Sequence, residues 1–241
     1  MKSEVFNTDC LEYMRTLPDK AFDLAIADPP YGDAKTVGDT PPPHCKSTHY
    51  TFGLRKRDSN YQNRRNMGNE IRKKIVAWDV APSKEFFTEL FRVSRNQIIW
   101  GGNYFEMPPC RCFVVWRKLS ISEEFSMAMA EYAWTSFNTN AKVFECAPQG
   151  KASDPRFHPT QKPTELYAWL LKNYAKEGDR IFDPMMGSQS SRIAAYKMVF
   201  DYVGCELDKE YFDKGCERFD RECHNIRITT NGTKVQQLTL F

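Results

Sequence analysis

The sequence predicts an α/β protein: a mostly parallel, twisted sheet with helices on both faces. Three observations carry this. Short apolar runs recur along the chain, among them Leu24-Ala25-Ile26-Ala27, Gln97-Ile98-Ile99-Trp100 and Tyr202-Val203-Gly204-Cys205. Each run stops at a turn signal built from Pro, Gly or an acid. Between the runs lie stretches with helical spacing of apolar residues, the alternation expected of strands linked by crossover helices.

Taken in order, Glu4 to Thr8 reads as the first strand and Asp23 to Ala27 as the second. The second runs straight into Asp28-Pro29-Pro30-Tyr31-Gly32, a rigid turn that sets an acid beside an aromatic ring. Ser83 is placed to cap a helix with Phe86, Phe87, Leu90 and Phe91 on its apolar face. Gln97 to Trp100 is a buried strand closed by Gly101-Gly102-Asn103. Cys112 to Trp116 and Met127 to Phe137 read as a strand pair, and Asn138 to Phe157 as a polar, irregular loop. Thr164 starts a helix with Leu166, Trp169, Leu170 and Tyr174 on one face, stopped at Gly178.

The next unit is the second chemical signal. Arg180-Ile181-Phe182 is a strand and Asp183-Pro184-Met185-Met186-Gly187 a turn. Ser188 is expected to cap a helix from Gln189 to Met198. Tyr202 to Cys205 forms the following strand, with Glu206 at its end. An acid about 20 residues after a glycine turn is the spacing that meets ribose hydroxyls in nucleotide-binding folds, and Glu206 follows Gly187 by 19. No G-x-G-x-x-G and no P-loop is present, so the unit suits a nucleoside without a pyrophosphate, such as S-adenosylmethionine. A charged helix from about Lys209 to Glu222 closes the unit.

Together these segments resemble the amino-group DNA methyltransferases, in particular the adenine-directed members with permuted (beta) motif order. Asp28-Pro29-Pro30-Tyr31 matches their catalytic motif, and Asp183 to Ser188 looks like their methyl-donor loop. His158-Pro159-Thr160-Gln161-Lys162-Pro163 is similar to the segment before that loop. Asn7-Thr8-Asp9-Cys10-Leu11 resembles the strand end that meets the donor's adenine. The resemblance implies a Rossmann-like fold that binds S-adenosylmethionine and methylates the exocyclic amine of adenine after base flipping.

It also implies roles. Asp28 and the Pro29 carbonyl accept the two amine N–H groups, Pro30 stiffens the turn, and Tyr31 stacks on the everted base. Asp9 and Cys10 lie at the donor's adenine, Glu206 at its ribose, and Thr160 and Lys162 at its methionine carboxylate. Asp28, Asp183, Pro184, Gly187 and Ser188 complete the cofactor site. Read without the resemblance, Lys162 is equally a solvated charge and His158 a turn residue. The family usually has a second glycine after the loop serine; here Gln189 stands there, either narrowing the pocket or pointing away. Methylation of cytosine, of RNA or of protein glutamine, or a DNA-binding module with a decayed donor pocket, are the competing readings. Asp at position 28 and the late donor loop favour adenine in DNA.

The chain has 241 residues and net charge +3. Its length suits a catalytic domain over residues 1–228, with a basic insert at 33–75 and a second variable loop at 138–157. The insert holds ten Lys or Arg against four acids, so it is locally +6 while the remainder is −3. Arg55, Lys56, Arg57, Arg64 and Arg65 are its candidate contacts to double-stranded DNA. The eight cysteines lack zinc-site spacing and are expected as free thiols, with no metal. No leader or membrane-length apolar run is evident, which suggests a cytoplasmic protein. The 229–241 tail is expected to be flexible and ends in Gln237-Leu238-Thr239-Leu240-Phe241, either a terminal edge strand or a peptide similar to those that dock on sliding clamps. Relatives in the resembled family are often homodimers.

Overall fold

The computed structural model describes residues 1–32, 79–123, 128–148, 156–228 and 234–236. The basic insert with Arg55, Lys56, Arg57, Arg64 and Arg65, and the terminal Gln237–Phe241 segment, lie outside the described residues.

The strands are β1 Ser3–Phe6, β2 Phe22–Ala27, β3 Ser94–Trp100, β4 Phe113–Lys118, β5 Ala130–Thr135, β6 Lys142–Cys146, β7 Arg180–Asp183 and β8 Asp201–Cys205. They form one sheet in the order β1-β8-β7-β2-β3-β5-β4-β6. Every pairing is parallel except those that β5 makes with β3 and β4. The expected mostly parallel sheet is therefore what forms, with one reversed strand.

The helices are α1 Cys10–Arg15, α2 Lys84–Val93, α3 Thr164–Tyr174, α4 Ser190–Lys197 and α5 Lys209–His224. One face of the sheet, with Ala25, Ala27, Ile99 and Phe182, packs against Met14 of α1 and Phe86, Leu90 and Val93 of α2. The other, with Leu24, Ile26, Ile98, Trp100 and Trp116, packs against Leu166, Leu170 and Leu171 of α3 and Ala194 and Ala195 of α4. Alternate residues of β2 and β3 thus feed two cores, the burial that an uninterrupted apolar strand implies. Each fully buried aliphatic side chain contributes about 1.5–3 kcal/mol.

Among the described residues, side-chain caps form at three helix starts, with Asp9 at that of α1. The Ser83 side chain accepts from Phe86 N at the start of α2, and Asp208 caps α5. In four places the structure departs from expectation. The stretch read as an irregular loop from Asn138 contains β6, which pairs in parallel with β4 and packs Phe144 on Trp169. Its alternating exposure is that of an edge strand, whose polar residues hide the pattern. A short helix, α1, lies where the sequence suggests no element. Ser188 does not cap α4: that helix begins at Ser190, and the cap position belongs to Gln189 in a left-handed conformation, φ 61°, with no side-chain cap bond. Part of the expected tail, Lys234–Gln236, pairs antiparallel with Ile226–Ile228 as strands β10 and β9 of a separate ribbon.

β2 and β7 sit side by side at the centre, with Leu24 opposite Ile181 and Ala25 opposite Phe182. From β2 the chain passes through α2 to β3 on one side; from β7 it passes through α4 to β8 on the other. That divergence is the switch point, where open α/β sheets bind ligands beyond the carboxyl ends of the strands.

Candidate active site

β2 is buried along nearly its whole length and delivers Asp28 to the switch point. Pro29 and Pro30 fix the next two φ angles. Gly32, at φ 74°, turns the chain and donates its N–H to the buried Asp79, 3.0 Å away. Asp28 Oδ1 accepts two hydrogen bonds, from Lys162 Nζ at 2.6 Å and from the Tyr31 hydroxyl at 3.1 Å. Both bonds fall on Oδ1, and among the described residues Oδ2 has no partner. Burial raises the Asp28 carboxyl above the ordinary carboxylate range, and Glu131 adds to this, while Lys162 pulls the other way.

The Tyr31 ring is held from several sides. It lies against Gly101, where an added Cβ would fall 2.2 Å from the ring. Tyr104 stacks on it at 4.8 Å and 11°, and Phe105 meets it edge-on at 6.3 Å. Gly101 has φ 67°, so both its backbone and its contact with Tyr31 exclude a side chain.

Lys162 is only 5% exposed, so the reading as a solvated charge does not hold. Its ammonium is engaged with Asp28 at 2.6 Å and with Glu131 Oε2 at 3.0 Å. The Glu131 contact is close but lacks hydrogen-bond geometry. Glu131 Oε1 pairs in turn with Lys118 at 2.6 Å. Burial alone would lower the Lys162 ammonium, but the two carboxylates outweigh it and raise the group. Burial likewise pushes Glu131 up, but Lys162 and Lys118 together pull it down to about 2. Trp100 lies beneath this line of charges, with the Lys162 ammonium 5.3 Å from its ring.

The second turn follows β7. Asp183 is buried; its Oδ1 accepts from Met185 N at 3.0 Å and its Oδ2 from the Ser191 hydroxyl at 2.5 Å. Burial raises this carboxyl to about 7, and the charges of Asp28 and Glu206 act in the same direction. Pro184 is buried behind it. Gly187, at φ 46°, donates its N–H to Glu206 Oε2 at 2.9 Å, while Glu206 Oε1 accepts from Asp208 N. Burial raises Glu206 too, against those two bonds. Asp9 caps α1, its Oδ1 accepting from Leu11 N and Glu12 N, and Thr8 N bonds to the Glu206 carbonyl. Cys10 is buried beside it, its thiol pushed up to about 12 by burial.

Gln189 does not narrow the pocket. It is fully buried, donates to the Phe212 carbonyl, and fills a notch at Gly215, where a Cβ would fall 2.6 Å from its Nε2. Arg218, also buried, holds the loop from behind through the Ser188 carbonyl at 2.7 Å and the Ser190 hydroxyl at 2.8 Å. His158 opens the turn before Pro159, its carbonyl accepting from Gln161 N, and it is buried, packed edge-on against Tyr211 and close to Gly187; burial lowers it to about 4. Thr160 is exposed, its hydroxyl 3.2 Å from His158 Nδ1.

The early and late turns therefore meet. Ser190 donates to the Lys162 carbonyl at 2.7 Å, and Lys162 in turn holds Asp28. The ends of β2, β7 and β8 thus bring Asp28, Tyr31, Lys162, Asp183, Gly187 and Glu206 to the switch point, where sheets of this kind form their ligand crevice. Glu131, Lys118 and Tyr104 are not evident as site residues from the sequence. They carry no motif, and only their places in the sheet give them a role: Glu131 on β5 beside β3, Lys118 on β4 beyond it, and Tyr104 in the turn after β3. Among the described residues no cluster of His, Cys, Asp and Glu could hold a metal ion, and no helix is long and apolar enough to cross a membrane.

An open, largely parallel sheet with an acid-Pro-Pro-Tyr turn and a glycine turn at its switch point defines an amino-group methyltransferase. Residues 46–217 match the DNA methylase family, and the chain belongs to that family, whose members act on N6 of adenine or N4 of cytosine. M2.MboI of Moraxella bovis, a type II methyltransferase, is 22% identical over 250 residues, covering 89% of this chain and 86% of that protein. M2.DpnII of Streptococcus pneumoniae, another type II methyltransferase, is 35% identical over 65 residues, 27% of this chain and 24% of that protein. The fold is shared with TTHA0409 of Thermus thermophilus, assigned as a DNA modification methylase. The two match at a TM-score of 0.50 and 15% identity, over 91% of this chain and 95% of that one. TTHA0409 has also been crystallised with S-adenosyl-L-methionine. The protein described here is a DNA methyltransferase.

Proposed function

We propose that this enzyme methylates the exocyclic amine of adenine in double-stranded DNA. The observation that carries the reading is Asp28: one oxygen is fixed by Lys162 and Tyr31, and the other has no partner among the described residues. The adenine amine is a weak nucleophile because its lone pair is delocalised into the ring. Acceptors on its two N–H groups, Asp28 Oδ2 and the Pro29 carbonyl, favour a pyramidal nitrogen and act where charge develops. Asp rather than Ser at position 28 supports adenine over cytosine.

The methyl donor is S-adenosylmethionine, which supplies a sulfonium-bound methyl group. The donor side fits a cationic nucleoside. Asp183 and Glu206 present carboxylates that are satisfied by N–H and O–H groups rather than by a cation. A carboxylate offers about four lone-pair sites, so Glu206 retains capacity for ribose hydroxyls. Asp9 and Cys10 border the adenine end, and Thr160 offers its hydroxyl to the donor's carboxylate. Pro184, Gly187 and Ser188 shape the turn between them. In the transfer the carbon–sulfur bond breaks as the nitrogen–carbon bond forms, and the nitrogen sheds one proton. Alignment of the three atoms supplies the rest of the acceleration.

Tyr31 offers a flat face to the everted base, whose extrusion costs a few kcal/mol. The basic segment with Arg55, Lys56, Arg57, Arg64 and Arg65 supports phosphate contact, and we assign it that role. The proposal extends to a cytoplasmic enzyme, to homodimers, and to clamp docking by Gln237–Phe241, for which deleting residues 237–241 and measuring clamp binding is the test. Methyl transfer from labelled donor to plasmid DNA, with mapping of the modified bases, decides the main reading. N6-methyladenine at a fixed sequence is expected; label on cytosine, or none on DNA, overturns it.

A further inference from the structure

The line Lys118–Glu131–Lys162–Asp28 runs across the sheet from β4 to the end of β2. The side chains of Lys118, Lys162 and Asp28 are 7%, 4% and 13% exposed, and that of Glu131 is 21% exposed with its Oε2 buried. A buried ammonium is costly unless paired, and one at 2.6 Å from a carboxylate fixes both groups. Lys162 has two carboxylate neighbours, Asp28 and Glu131, and Glu131 has two lysines. The charges alternate, so each group is held in one place, and Lys162 opposes the burial that raises the Asp28 carboxyl. The direct consequence is geometric. With Oδ1 taken by Lys162 and Tyr31, the carboxylate of Asp28 cannot rotate without breaking two hydrogen bonds.

Resting on the adenine reading above, we propose that Lys162, itself anchored by Glu131, is the positioning residue that orients Asp28 and keeps it charged for the target amine. Lys162 touches neither base nor methyl group in this scheme. Glu131 acts with the opposite sign: it fixes Lys162 but adds negative charge beside Asp28. The other titratable groups that bear on Asp28 are Tyr31 and, through their charges or burial, Asp183 and Tyr167; Arg156 bears on Glu131. None of these is altered in the test.

The test follows the Asp28 carboxyl directly, by carbon NMR titration of protein labelled at aspartate carboxyls, with Asp28→Asn to assign the signal. Lys162→Met is expected to move the Asp28 titration to higher pH, and Glu131→Gln to lower pH. Lys162→Arg, which keeps the charge, should restore the wild-type direction. Should Lys162→Met fail to fold, Glu131→Gln, which leaves a one-to-one pair, carries the decision alone. In parallel, Lys162→Met should lower kcat by about 10²-fold, with its acid limb displaced upward and donor affinity within about threefold of wild type. Shifts of the same sign in both variants, or none, overturn the proposal. A tenfold loss of donor affinity with unchanged kcat overturns it as well, because that result puts Lys162 on the donor. An enzyme that labels no DNA defeats the adenine reading, while the NMR arm still decides the charge line.

Discussion

The two walls of the cleft handle buried carboxylates in opposite ways. On the β2 wall Asp28 and Glu131 are matched by Lys162 and Lys118, two acids against two bases. On the β7–β8 wall Asp183 and Glu206 are matched only by backbone N–H groups and a serine hydroxyl. The first wall is neutral in sum and suits an uncharged base. The second sets two carboxyls, both raised by burial, without a basic partner among the described residues, which supports the proposed sulfonium side. On the proposed reading, the difference teaches that the two substrates meet walls of different charge balance.

Three measurements sharpen or break this contrast. The largest effect belongs to Asp28→Ala, which should reduce transfer by about 10³-fold or more while the fold persists by circular dichroism. Near-normal turnover would remove Asp28 from its role. Next is the backing of the donor wall. Gly215→Ala should destabilise by about 1–2 kcal/mol, because its new methyl meets the locked Gln189. In a Gln189→Gly background the same change should become neutral or stabilising, since alanine favours a helix over glycine. Additive melting shifts would show that the two residues do not share the notch. The smallest is electrostatic. Burial raises the Asp183 carboxyl to about 7, and a nearby cation favours its ionised form. Donor affinity measured by calorimetry should therefore rise as pH increases through about 7. In Asp183→Asn it should be flat with pH and about tenfold weaker at about pH 8. A wild-type affinity independent of pH would mean that the donor wall is neutral too.

Much of this is legible in the chain. The catalytic and donor turns announce themselves because Pro and Gly restrict the backbone locally, and because β2, β7 and β8 are buried on both faces and so read as unbroken apolar runs. What stays hidden depends on pairing across the sheet. Glu131 looks like any polar residue on a half-exposed strand until β5 is placed beside β3 and β4. β6 alternates charged and apolar residues as edge strands do, and α1, at six residues, is too short to show a helical period. Gln189 stands out in the sequence as the departure from the family's pattern. Its direction is not readable there, because the notch that accepts it is made by Gly215 on another helix.

The reversed strand has one more consequence. Because β5 runs against its neighbours, Glu131 sits near its beginning yet at the same rim where β3 finishes. Side chains alternate along a strand, so sliding β5 by a single position would swing this acid through the sheet to the α2 side. Hydrogen bonding between strands thereby acts as a voltage setting for the Asp28 turn, and any change in the β3–β5 alignment would be felt at Asp28 through Lys162.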